Sequence, residues 1–154
     1  MSFATLLYTD HQIIKTVHTL ISMTFLIVAI WLFYRAIRGF LKNLAYTGLD
    51  KFLSYAFIVN LYLQLIFGFF LMVSPTSIPG QEIVNQDITM KLATRRFWPM
   101  EHIVLMLFAL FIANLGLIFS NSAQANKQKY RKVIVYYAIA VVLIMLSLGS
   151  TLLE

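Results

Sequence analysis

The sequence predicts an all-α protein, an integral membrane up-down four-helix bundle, on three observations. Its 154 residues are 60% apolar and only 12% charged, against ~45–50% and ~25% in an ordinary soluble domain. Mean hydropathy is +0.81, so lipid is the expected solvent for much of the chain. Four stretches reach the ~20 apolar residues that cross a ~30 Å hydrocarbon core. Cysteine is absent, which excludes disulfide frameworks, thiolate metal sites and Cys-x-x-Cys-His haem attachment. Twelve Lys and Arg stand against six Asp and Glu. In so apolar a chain that excess points to lipid headgroups rather than to nucleic acid.

The first predicted span covers residues 16–34 and closes on Arg35 and Arg38. The second covers 52–73 and stops before Ser74-Pro75. The third covers 97–119 and opens with Trp98-Pro99, where proline suits the first turn of a helix. The fourth covers 133–153, so residues 1–154 form one membrane domain. Residues 1–12 lack the basic n-region of a cleavable signal. Residues 75–96 read as the single long loop.

Lysine and arginine set the expected orientation. Arg35, Arg38, Lys42 and Lys51 flank loop one, and Lys127, Lys129, Arg131 and Lys132 flank loop three. The opposite side carries Lys15, Lys91, Arg95 and Arg96. The positive-inside bias therefore places both termini and loop two outside the cytoplasm.

Polar residues within the spans carry the functional expectation, because each needs a partner or a purpose in lipid. His11 precedes the first span, whereas His18 and His102 fall at matched depth near the outer ends of helices one and three. Below His102 the helical stripe runs through Met106, Ala109, Ala113 and Gly116; below His18 it runs through Ser22, Phe25 and Ala29. Asn60, Gln64 and Gly68 form the inward stripe of helix two, and Ser147, Gly149 and Ser150 lie near the outer end of helix four. Two helices thus offer imidazole at one level, and two offer small residues. Diagonal helices ~12–14 Å apart in a square bundle leave room there for a flat molecule whose iron takes an imidazole on each face. Arg95 and Arg96, just before helix three, are matched to its carboxylates. Each element also has a plainer interpretation. The histidines serve as interfacial hydrogen bonders, the arginines as snorkelling anchors, and Asn60 and Gln64 as interhelical bonders. Glu101 lies about 100° around the helix from His102.

Several motifs together carry a family resemblance. Lys15-Thr16-Val17-His18, Gln64-Leu65-Ile66-Phe67-Gly68 ending in Ser74-Pro75, Arg96-Phe97-Trp98-Pro99-Met100-Glu101-His102 and the basic stretch 127–132 are its parts. Together they resemble a family of small bacterial four-helix membrane proteins labelled "cytochrome B". The resemblance implies haem b, single-electron transfer and the bacterial inner membrane. A quinol and a larger respiratory complex are the expected partners. Residues 15–18 are also similar to the opening of four-helix, haem-holding protoporphyrinogen oxidases, which supplies an enzyme alternative. A third reading is a small accessory subunit of a larger membrane complex.

Overall fold

The structure, a computed structural model, describes the backbone of residues 3–73 and 86–149, with side chains over 12–73 and 100–148. Four helices account for it: α1 (Phe3–Lys42), α2 (Gly48–Val73), α3 (Gln86–Ser122) and α4 (Asn126–Gly149). Each contains a stretch long and apolar enough to cross a membrane. The protein is thus a multi-pass four-helix membrane bundle.

All four helices depart from the hydropathy limits. α1 passes the charges that seemed to close it and runs to Lys42. Its end is set by backbone geometry instead. Asn43 adopts a left-handed φ of 51°, and the Leu44 amide bonds back to the Gly39 carbonyl at 3.0 Å, the pattern of a Schellman cap. α2 begins at Gly48 rather than at residue 52. Thr47 caps it, with its amide and hydroxyl both donating to Asp50 Oδ2 at 2.8 Å. α3 begins at Gln86, so residues 86–96 are helical where a loop was expected, and Pro99 lies inside the helix rather than in its first turn. α4 begins at Asn126 rather than at residue 133. Hydropathy marks where a helix meets water, and these helices continue beyond that boundary.

Consecutive helices pack antiparallel through the short connections 43–47 and 123–125. α1 and α3 each pack against both α2 and α4. The four therefore form a square, with α1 opposite α3 and α2 opposite α4. Small side chains permit the close approach: Ala36, Ala109, Ala113 and Ala140 are all buried. A Cβ at Gly39 would overlap the Tyr130 ring, and one at Gly116 would stand 2.6 Å from Tyr136 Cβ. Phe57 fills the centre, with ring contacts to Phe25 at 4.9 Å and to Tyr137 at 4.8 Å. Outward positions carry Leu20, Ile27, Ile30, Phe69, Phe111 and Leu146, an apolar surface suited to lipid.

A buried polar cluster ties the loop-one end together. The Arg35 guanidinium donates to both Asp50 oxygens, at 2.8 and 3.3 Å. The Tyr130 hydroxyl on α4 lies 3.0 Å from both Asp50 Oδ2 and the Ala45 carbonyl, which share its one proton. Asp50 is nearly inaccessible, at 4% exposure, yet it has the partners that a buried carboxylate requires. Nearby, burial pushes the Tyr46 phenol above its ordinary pKa, and its oxygen meets Ser54 Oγ at 3.3 Å.

Candidate functional site

The opposite end of the bundle holds the candidate site, built by one residue or pair from each helix. α1 supplies His18 and, one turn on, Ser22. Both are half-buried. The Ser22 hydroxyl bonds back to the His18 carbonyl at 2.9 Å, and Gln64 Nε2 on α2 donates to Ser22 Oγ at 2.9 Å. Gln64 is buried, and this part-buried bond joins α1 to α2. Gly68 lies one turn beyond Gln64 and faces His18. A Cβ there would stand 3.6 Å from His18 Cε1.

α3 supplies His102, whose Nδ1 is hydrogen-bonded to Ser147 Oγ on α4. Ser147 is buried and His102 half-buried. A hydrogen bond at one imidazole nitrogen fixes the ring's orientation and directs the other nitrogen elsewhere. His18 and His102 lie at the same end of the bundle, on helices that face each other across the diagonal. Glu101 is exposed, away from this layer.

His18 Nδ1 is buried and has no hydrogen-bond partner. Buried imidazole nitrogens are ordinarily satisfied, so this one marks a place for a ligand atom or water. Deeper in the bundle, Asn60 Oδ1 is likewise buried and unpartnered. Among the described residues no three His, Cys, Asp or Glu side chains gather around a common point. His18 and His102 are the two imidazoles that the described residues place at this end.

Sequence reasoning named His18, His102 and Gly68; the structure sets His18 against Gly68 and places His102 on the helix across the diagonal. Arg95 and Arg96 lie in α3 six to seven residues before His102, and their side chains fall outside the described residues, as does that of His11. Sequence reasoning counted Ser147 only as a small residue and missed its bond to His102. It missed the Asp50 cluster as well. Thr47 followed three residues later by Asp50 was the available signal, a capping pair that announces a helix start.

No protein-family model, curated protein or solved structure matches this chain. Fold and site define a four-helix membrane bundle with an imidazole pair at one end.

Proposed function

We propose that this protein binds haem b between His18 and His102 and carries single electrons in a bacterial inner membrane. The carrying observation is the unpartnered His18 nitrogen, in the same layer as a His102 ring already oriented by Ser147. The residues fit the group. Two neutral imidazoles would hold a haem iron, and Gly68 adds no side chain against the His18 ring.

In this reading the haem, when bound, supplies a one-electron couple, and the chain does the rest. His18 and His102 would hold the iron, while Ser147 orients His102 and the Gln64–Ser22 bond secures the turn that carries His18. Arg95 and Arg96 are assigned to the propionates. This reading takes a quinol and a neighbouring redox centre as the electron partners. Both termini are assigned to the outside of the cytoplasm.

The test is the visible spectrum of the protein purified from membranes, oxidised and then reduced with dithionite. A six-coordinate low-spin haem spectrum is expected. Colourless protein, intact and folded, would leave the accessory-subunit reading in its place, and haem with oxidation of protoporphyrinogen would favour the enzyme.

A further inference from the structure

The end of the bundle remote from the histidines carries a charge imbalance that the protein does not correct. Arg35, Arg38, Lys42, Lys51, Lys127, Lys129, Arg131 and Lys132 gather there, and Asp50 is the single carboxylate among them in the sequence. Asp50 is already committed to Arg35 and is buried. The other cations need counter-ions from outside the chain.

Three of them are also held in position. Lys127 lies over the Phe40 ring at 5.2 Å, Lys129 over Tyr46 at 5.8 Å and Lys132 over Phe119 at 5.1 Å. Each ring fixes a flexible ammonium without neutralising it. Lys132 and Phe119 together line an open surface cavity of about 490 Å³ at the α3–α4 connection, with Ser122, Gln124 and Gln128 also along it. The cavity thus offers one fixed cation and several hydrogen-bonding side chains, and no carboxylate lines it.

Its position decides the anion. Val135, Ile139, Val142 and Leu146 follow Lys132 along α4 at helical spacing, all exposed, and lead from the cavity towards the bilayer centre. Headgroup chemistry at the top of an acyl-compatible stripe is the profile of a lipid site. We propose that this cavity binds the headgroup of an anionic phospholipid, with its phosphate at Lys132, its polar headgroup against Gln124 and Gln128, and its acyl chains along α4.

The experiment is native mass spectrometry of the full-length protein in detergent, titrated with dioleoylphosphatidylglycerol or with dioleoylphosphatidylcholine. Selective retention of the anionic phosphatidylglycerol is expected. Lys132→Gln should weaken it about fivefold, the contribution of one surface cation near anionic lipid. Lys132→Arg should preserve it, and Arg38→Gln, on the same face outside the cavity, should leave it unchanged. Matching elution and helical content across the variants establish that each is folded. Equal retention of both lipids would overturn the site, as would equal losses from Lys132→Gln and Arg38→Gln. So would inorganic phosphate competing as well as the lipid, because acyl chains would then contribute nothing.

Discussion

Ser147 on α4 is hydrogen-bonded to Nδ1 of His102 on α3, so a neighbouring helix sets the orientation of this imidazole. Losing such an outer partner typically costs a metal site ~10–100-fold in affinity. Ser147→Ala should therefore lower haem affinity within that range while the bundle still folds. Haem titration of the purified apoprotein measures it. An unchanged affinity would mean that the bond serves only to join α3 to α4.

Gly68 separates two outcomes by side-chain size. A methyl group there meets His18 at an ordinary contact distance of 3.6 Å, so Gly68→Ala should retain haem. Gly68→Leu projects further and displaces the His18 ring. Haem content per milligram should fall sharply while the protein still accumulates in the membrane. Loss of the protein itself would assign Gly68 to helix packing alone.

The Arg35–Asp50 pair should respond unequally to its two deletions. Arg35 is 31% exposed at its side chain and Asp50 is 4% exposed. Arg35→Gln strands a buried carboxylate, a loss of ~3–5 kcal/mol for a fully buried pair. Tyr130 and Thr47 remain to share the charge and bring the expected value to the lower end. Asp50→Asn leaves Arg35 free to reach water and should cost only ~1–3 kcal/mol. Thermal unfolding in detergent ranks the two, and the reverse order would contradict the burial argument.

Asn60 is 7% exposed, and its carbonyl has no partner. Replacing an unsatisfied buried polar group by an apolar one of similar shape recovers its desolvation cost, ~1–3 kcal/mol. Asn60→Leu should raise the thermal midpoint, and a fall would show that Asn60 holds a ligand or a water.

Topology follows from the eight basic residues at one end of the spans against four at the other. Reporter fusions at Asn43 and Ala125 should read cytoplasmic, and a fusion at Gln86 external. The inverse pattern would place the histidine layer near the cytoplasm.

Hydropathy made the number of helices legible, because a bilayer accepts few other solutions for a chain so short of charge. The limits were less legible. Arg35 looked like a stop, yet Asp50 from the next helix neutralises it, and no local pattern announces a partner fifteen residues away. The Asn43 cap and the Thr47–Asp50 pair do carry local signals, of the turn and capping kinds. His18 and His102 stood out as imidazoles in lipid, and Gly68 through its spacing from Asn60 and Gln64. Ser147 did not, because serine in an apolar helix more often bonds its own backbone than a distant ring.

Removing the three histidines one at a time tests the central claim most directly, with the oxidised and reduced visible spectra of each purified variant as the readout. His18→Ala and His102→Ala should each abolish the six-coordinate low-spin haem spectrum, since one remaining imidazole leaves the iron five-coordinate or lets the haem dissociate. His11→Ala should keep it. A low-spin spectrum that survives either His18→Ala or His102→Ala would contradict the two-imidazole site.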